Sequence, residues 1–267
     1  MNRRQIPAAA AAAAALALPI QAQAQGAAQG GKLAAIQAAG RIRIGTTGDF
    51  NPMSFRDPAS REYRGHQIEA AQQLGRDMNL RVEFVATDWR TLINGLQADQ
   101  FDAVFTGTSM SVARAMAGSF TQPWGRTGFI PLVRRRDANR FANWDALNQR
   151  SVTIATTLGT TMETFVQGAL PNATIRRVES PARDWQELLG GRVDAAMTSV
   201  IEAAFLTREY PDLVAIFRDT PRNPIPMAFL APLNDMPFTN FLNAWITIRQ
   251  ASGFFDELAR KWGLVEA

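Results

Sequence analysis

Hydrophobic and polar residues along this chain form two kinds of pattern that follow one another in turn. Short apolar runs rich in Val, Ile, Phe and Thr predict β-strands at 41–47, 81–87 and 101–106. Between them, apolar residues spaced three to four positions apart predict helices at 68–78 and 91–98. This alternation favours a mainly parallel sheet covered by helices, so the sequence predicts an α/β fold.

The same order of elements begins again after residue 150. The pattern predicts strands at 151–157, 174–179, 194–198 and 214–217, and helices at 161–170, 184–189 and 201–208. We therefore expect two similar halves, each with its own sheet.

A repeated phrase supports the two halves. Asp88-Trp89 is followed by Phe101-Asp102-Ala103-Val104-Phe105-Thr106, and Asp184-Trp185 is followed by Val193-Asp194-Ala195-Ala196-Met197-Thr198. In open α/β sheets, small ligands bind just beyond the carboxyl ends of the strands. The final threonine of each copy therefore marks the predicted rim of a binding site, and two such rims facing each other would form a cleft.

Two extended apolar segments, 128–135 and 226–231, lie on either side of the second half. The last two segments, 238–252 and 254–262, predict amphipathic helices that have no strand of their own and need a sheet to cover. The economical arrangement is a chain that crosses to a second lobe and returns. We expect a first lobe of residues 41–128 plus 226–267, a second lobe of 129–225, and a hinge of two connecting strands.

The first residues resemble an export signal. Arg3 and Arg4 precede an almost unbroken Ala/Leu stretch at 6–20, and Ala22-Gln23-Ala24 has the form of a signal-peptidase site. We expect a cleaved signal peptide at 1–24, a flexible leader at 25–40 and a periplasmic location. The alternative is a retained membrane anchor, although the apolar stretch is short for a membrane span.

Composition excludes several kinds of site. The 267 residues contain no cysteine, which excludes disulfides, thiolate metal sites and cysteine nucleophiles, and His66 is the single histidine, which excludes a multi-histidine metal site and a His-based triad. The formal charge of +4 is too small to indicate a nucleic-acid surface, and the run Arg134-Arg135-Arg136 lacks interleaved aromatic residues. No nucleotide-binding glycine motif is present, so we expect no cofactor and no nucleic-acid partner.

Five motifs stand out along the chain: Gly45-Thr46-Thr47-Gly48-Asp49-Phe50-Asn51-Pro52-Met53-Ser54-Phe55, Phe101-Asp102-Ala103, Thr106-Gly107-Thr108-Ser109, Arg114 with Phe120-Thr121-Gln122-Pro123, and Met197-Thr198-Ser199-Val200-Ile201-Glu202-Ala203. Together they resemble the bacterial extracellular solute-binding proteins of family 3, and within them most closely the periplasmic cyclohexadienyl dehydratases. The resemblance implies a type II periplasmic-binding-protein fold of two lobes and a ligand held between them. Fold alone does not fix function.

Arg114 is the strongest ligand-binding candidate. The resemblance implies that it binds the carboxylate of the ligand, a role that suits the planar fork of a guanidinium. Residues at the ends of strands in the two halves would close on the same carboxylate from opposite sides; they are Thr106, Gly107, Thr108, Ser109, Thr160 and Thr161. Their alternative role is ordinary helix capping.

Two further positions bear on the ligand and on catalysis. In the amino-acid receptors an Asp that pairs with the ligand ammonium stands where this chain has Ser199, so a carboxylate or keto acid gains support as the ligand. Glu202 matches the general acid of the dehydratases, and its alternative is a solvated residue of a helix first turn. The dehydratases carry a lysine where this chain has Phe129. Asp49, Phe50, Phe55 and Trp89 complete the candidate site, the aromatic residues as walls for a planar ligand.

Together these features predict the monomeric substrate-binding protein of an ABC importer, which binds a small amino-acid-like or carboxylated solute and docks transiently on its permease. The alternative is a cofactor-free prephenate or arogenate dehydratase on the same fold, with Glu202 as general acid. A sensory binding module is a third possibility.

Overall fold

The structure is a computed structural model that describes residues 22–264, with side chains from residue 31. Its strands, in chain order, are β1 (Arg41–Thr46), β2 (Asp49–Phe50), β3 (Ser54–Arg56), β4 (Tyr63–Arg64), β5 (Arg81–Ala86), β6 (Ala103–Val104), β7 (Ser119–Phe120), β8 (Gly125–Arg134), β9 (Thr153–Thr157), β10 (Thr174–Val178), β11 (Ala195–Ser199), β12 (Leu213–Ala215), β13 (Arg222–Met227) and β14 (Leu230–Ala231).

Helices fill most of the intervening segments. They are α1 (Ala22–Ala39), α2 (His66–Asp77), α3 (Leu92–Gln97), α4 (Val112–Ala115), α5 (Trp144–Leu147), α6 (Thr161–Ala169), α7 (Asp184–Leu189), α8 (Val200–Glu209), α9 (Met236–Ala251) and α10 (Phe254–Lys261), with a 3₁₀ segment at Arg135–Arg140. The predicted order of strands and helices is confirmed in both halves, and the element ends differ from the predicted ones by a few residues.

The strands form two main sheets, which define the two lobes. The first lobe holds the order β5-β1-β6-β14-β7, and the second holds β10-β9-β11-β8-β12 with β13 paired to β8. In each sheet all strands but one run in the same direction: β14 runs against the others in the first lobe, and β8 does so in the second. The sheets are therefore mixed through a single strand each, because β8 and β14 carry the chain in from the other lobe.

Buried apolar faces explain why the final helices belong to the first lobe. Phe238 and Trp245 of α9 and Phe255 of α10 pack in one cluster with Ile44 of β1 and Leu74 of α2. This burial removes the apolar stripe of each helix from water, which contributes roughly 1.5 to 3 kcal/mol for each large side chain. Helices α9 and α10 therefore pack against the sheet that contains β1.

The chain crosses between the lobes in two adjacent strands. β8 and β13 pair antiparallel, with Thr127 opposite Ile225 and Gly125 opposite Met227. These are the two connecting segments that the extended apolar runs predicted, although the lobe boundaries at 128 and 226 and their role as a hinge remain predictions.

The segment predicted as a flexible leader is helical in the structure. α1 is interrupted at Gly31, whose φ of 60° suits glycine, and beyond this kink Leu33 and Ile36 pack on the core of the first lobe. The main-chain N–H of Lys32 also donates to the Asp235 carboxylate at 2.7 Å. The sequence concealed this docking because Leu33 and Ile36 are isolated among small residues. Most of the predicted signal peptide lies outside the described residues, and no helix within 22–264 is long and apolar enough to span a membrane.

The repeated aspartates have the same structural role in both lobes. The Asp102 carboxylate accepts from the main-chain N–H of Arg43 at 2.8 Å, and the Asp194 carboxylate accepts from that of Thr153 at 2.9 Å. The main-chain N–H of Asp102 also donates to the carbonyl of Arg43, and that of Asp194 donates to the carbonyl of Thr153. Each copy of the repeat therefore fixes its strand against the neighbouring parallel strand.

Candidate functional site

A small cavity of about 20 Å³ lies between the two lobes, at the ends of their central strands. Eight of the candidate residues line it: Phe50, Trp89, Gly107, Ser109, Arg114, Thr160, Thr161 and Ser199. The lining also includes Thr127, Met162 and Arg183, which the sequence did not single out. The structure therefore brings residues from both halves of the chain into one enclosed space.

Arg114 is a buried cation at the wall of this cavity. Ser111 caps the short helix α4 by accepting from the Arg114 N–H at 3.2 Å, which places the arginine at the end of the first-lobe sheet. Its Nη1 donates to the carbonyl of Ser109 at 3.0 Å, and its Nη2 donates to the carbonyl of Gly159 in the second lobe at 3.1 Å. The guanidinium carbon lies 5.8 Å from the centre of the Trp89 ring.

The charge of Arg114 is not neutralised by any carboxylate among the described residues. Burial lowers its pKa to about 10, so the side chain still carries its charge at neutral pH. A guanidinium has five N–H donors, and carbonyl oxygens occupy two of its nitrogens here. The geometry leaves a buried positive charge with donors to spare, which is suited to an anion.

Two glycines form the turns beside Arg114, one in each lobe. Gly107 and Gly159 have φ values of 81° and 80°, a region that side chains disfavour. A Cβ at Gly159 would lie 2.7 Å from the main-chain nitrogen of Arg90 in the first lobe. This position therefore needs glycine both for its backbone conformation and for the close approach of the two lobes.

Hydroxyl groups line the second-lobe side. Thr160 caps α6, since its Oγ1 accepts from the Glu163 N–H at 3.3 Å while it donates to the Thr157 carbonyl at 2.6 Å. Ser199 caps α8, and its Oγ accepts from the Glu202 N–H at 3.1 Å. Thr160 and Ser199 therefore cap helices and line the cavity at once, and their part in ligand binding stays a prediction.

Arg183 is the principal site residue that sequence reasoning missed. It lies just before α7, and its Nη2 donates to Oε2 of Glu202 at 2.8 Å while its Nε donates to Thr157 Oγ1 at 3.2 Å. Its Nη1 also donates across the cleft to the carbonyl of Asp49. The residue precedes the second Asp-Trp of the repeat, where the first copy has Thr87, and this difference was the available signal.

Asp49 joins this network from the first lobe. Its carboxylate accepts from Trp89 Nε1 at 3.0 Å and from the Ser180 hydroxyl of the second lobe, and it lies 3.7 Å from Arg183 Nη1. With the Arg90–Glu179 ion pair at 2.6 Å, these contacts hold the two lobes together. The structure therefore represents a closed arrangement of the lobes.

Burial and neighbouring charges shift the pKa values of the network. Burial raises the pKa of Glu202 to about 7, although the attraction of Arg183 opposes this rise. Burial also raises the pKa of Asp184, again against the attraction of Arg183. Burial alone would lower the pKa of Arg183, but the charges of Glu202, Asp49 and Asp184 hold it above its ordinary value.

Five candidate residues do not line the cavity. Asp49, Phe55 and Glu202 border a separate cavity, with Arg183 between the two spaces. Thr106 is buried beneath the wall and accepts from the Thr47 N–H at 3.0 Å, and Thr108 is also buried.

The predicted rim threonines and the solvated alternative for Glu202 are therefore wrong. Thr106 and its counterpart Thr198 are completely buried, and the residues that follow them form the rim. The Glu202 side chain is 1 % exposed and accepts hydrogen bonds from both Arg183 and Thr198.

Several other aromatic and titratable residues pack inside the lobes and do not line the cavity. Phe129 packs edge-on against Phe165 inside the second lobe. Trp185, the counterpart of Trp89, lies against Tyr210. His66 is buried beside Trp124, and desolvation lowers its pKa to about 3, so it stays neutral. Within residues 22–264 no group of three or more His, Asp and Glu side chains is placed to hold a metal ion.

Comparison with known proteins agrees with this two-lobe geometry. The sequence profile of the bacterial extracellular solute-binding proteins, family 3, matches residues 42–265. The chain belongs to this family. Of its curated relatives, the cyclohexadienyl dehydratase of Pseudomonas aeruginosa is 30 % identical over 88 % of this chain and 87 % of its own, and the L-cystine-binding protein TcyJ of Escherichia coli is 23 % identical over 87 % and 86 %.

Solved structures of family members share the fold. The ancestral amino acid-binding protein AncCDT-1, described as a precursor of cyclohexadienyl dehydratase, superposes with a TM-score of 0.81 at 32 % identity and covers 86 % of this chain and 98 % of its own. The family and the type II periplasmic-binding-protein fold predicted from the sequence are thereby confirmed.

Proposed function

We propose that this protein is the periplasmic substrate-binding protein of an ABC importer and that it closes on a small, carboxylated, amino-acid-like solute in the cavity between its lobes. The observation that carries the proposal is Arg114, a buried guanidinium without a counter-ion among the described residues, facing a cavity formed by both lobes. Family membership and the amino-acid-binding relatives support the same function.

Ligand contacts from both lobes would drive closure. A solute that touches Arg114 on one side and the α6 and α8 caps on the other interacts with more groups in the closed form than in the open one. A ligand shifts a conformational equilibrium by the difference between its affinities for the two states. The paired strands β8 and β13 would serve as the hinge, and the monomeric closed form would dock on the permease.

The experiment compares ligand-induced thermal stabilisation in the mature protein and in two variants, across a panel of amino acids and organic acids. Stabilisation by the cognate solute grows with its concentration. Arg114→Ala should weaken binding at least about thirtyfold, because truncating one partner of a buried charge pair costs about 2 kcal/mol or more. Arg150→Ala, which removes an exposed arginine of the second lobe, is the matched control. Equal stabilisation of the wild type and Arg114→Ala would refute the assignment.

A dehydratase is the second candidate, and the 30 % identity to the Pseudomonas aeruginosa enzyme favours it. The raised pKa of Glu202 suits a general acid, whereas its position behind Arg183 and its bond to that residue place it away from the cavity. The reaction would convert prephenate to phenylpyruvate, water and carbon dioxide. Incubation of the wild type and Glu202→Gln with prephenate tests it: turnover that the variant lacks supports an enzyme, and no turnover in the wild type removes this candidate.

A further inference from the structure

The wall of the interlobe cavity carries positive charge and no negative charge. Two of its lining residues, Arg114 and Arg183, are arginines, and the lining drawn from the described residues includes neither aspartate nor glutamate. A ligand ammonium held in such a space would be removed from water without a carboxylate to replace the lost hydration, which is costly for a buried ion.

Two buried carboxylates close to the cavity are already engaged. Asp49 accepts from Trp89 and Ser180, and Glu202 accepts from Arg183 and Thr198. Both acids border the second cavity, and Arg183 borders both spaces. An ammonium group on the ligand would therefore face the guanidinium of Arg183 rather than the carboxylates behind it.

The hydroxyls of Thr127, Thr160 and Thr161 donate to protein atoms, whereas those of Ser199 and Ser109 have a hydrogen left to donate. Ser199 Oγ accepts from the Glu202 N–H, which leaves its own hydrogen for an acceptor in the cavity. The Ser109 hydroxyl lines the first-lobe side of the cavity and makes no hydrogen bond within the described part of the chain. An oxo or hydroxyl oxygen on the ligand accepts such hydrogen bonds, whereas an ammonium has only donors to offer.

Three other lining residues have large apolar side chains. Phe50 and Trp89 meet edge to face with ring centres 5.9 Å apart, and Met162 lies on the second-lobe wall. Apolar ligand atoms placed against these side chains leave water at little cost.

We propose that the cavity selects 2-oxo and 2-hydroxy acids with an apolar side chain over the matching α-amino acids. This specificity rests on the proposed solute-binding function. Arg114 binds the carboxylate, the Ser199 and Ser109 hydroxyls donate to the oxygen at the α-carbon, and Phe50, Trp89 and Met162 surround the side chain.

Calorimetric titration of the mature protein with matched pairs tests the selection. The pairs are 4-methyl-2-oxopentanoate with leucine and phenylpyruvate with phenylalanine, together with the corresponding 2-hydroxy acids. In every set that binds, the oxygen-bearing acid should bind at least tenfold more tightly than the amino acid. An amino acid that binds as tightly as its partner, or more tightly, overturns the selection and leaves solute binding intact. Absence of binding by every amino and organic acid tested overturns both proposals.

Ser199→Asp and Ser199→Asn form a second, matched test. Both residues are good helix caps, so each preserves the start of α8, but only the aspartate adds a negative charge to the wall. Ser199→Asp should shift the binding ratio at least tenfold toward the amino acid, and Ser199→Asn should not. Identical shifts in the two variants would show that wall charge does not set the selection. Circular dichroism and the ligand-free melting temperature confirm that each variant is folded.

Discussion

Glu202 allows a test of the electrostatics of the closed cleft that does not need a ligand. The substitution is Glu202→Gln, which keeps the size of the side chain and removes its charge. In the folded protein Glu202 is paired with Arg183, and Asp49 and Asp184 lie around the same guanidinium. Burial raises the pKa of Glu202 from 4.5 to about 7, so the folded protein retains a proton there that the unfolded chain releases.

The sign of the pH dependence follows from proton counting. Between the unfolded and the folded pKa the folded state binds more protons than the unfolded state, so stability falls as pH rises. The contribution of Glu202 is fully present below pH 4.5 and is lost as pH passes through about 7. At 1.36 kcal/mol per pKa unit, the free energy of unfolding should fall by about 3 kcal/mol across this window because of Glu202.

The assay is urea denaturation of the wild type and Glu202→Gln from pH 4 to pH 8. All other titrating groups are common to the two proteins, so the difference between their unfolding free energies isolates Glu202. This difference should move in favour of the glutamine variant by about 3 kcal/mol as pH rises. A difference that stays constant with pH, or that moves in favour of the wild type, would refute the reasoning. Asp184→Asn, measured in parallel, shows how far the neighbouring buried acid shares the proton.

Two further predictions use matched positions in the chain. Gly159→Ala and Gly191→Ala each place a side chain at a positive φ, so each variant should lose about 1 kcal/mol of stability. Ligand affinity should fall only in Gly159→Ala, because its Cβ would lie 2.7 Å from the main-chain nitrogen of Arg90 in the opposite lobe. Denaturation and calorimetry measure both quantities, and equal affinities would contradict the interlobe role. Trp89→Ala should weaken ligand binding at least about tenfold, because Trp89 lines the cavity. Trp185→Ala, at the equivalent position of the repeat, should lower the melting temperature and leave ligand affinity unchanged, because Trp185 packs against Tyr210. Similar losses of affinity in both variants would argue against the different placement of the two rings.

The architecture was predictable because the spacing of apolar residues in the sequence matches the residues that are buried along most of the chain. Ile42 and Ile44 alternate with arginines in β1, and Ile68, Ala71 and Leu74 follow the helical spacing in α2. The antiparallel strands were missed because hydrophobicity carries no information about strand direction. The docking of α1 was missed because few apolar side chains carry it.

The site was predictable where a residue has a distinctive chemistry and neighbourhood. Arg114 fits this description, as do the glycine and hydroxyl groups at the strand ends. Arg183 differs because its importance comes from contacts with Asp49 and Glu202, which are 134 and 19 residues away in sequence. Such long-range pairing leaves no local pattern, so the same network also concealed that Glu202 is turned away from the cavity.

The cross-lobe bonds of Arg114 and Arg183 have a consequence for transport energetics. Both side chains join the lobes by donating to main-chain carbonyls of the opposite lobe. A receptor that is held closed partly by its own side chains populates the closed form even when it is empty. The ligand then supplies only the rest of the free-energy difference between the open and closed forms. In an importer, the permease would then meet unloaded copies in the docking conformation. Weaker self-closure would therefore reduce futile ATP hydrolysis, at the expense of solute affinity.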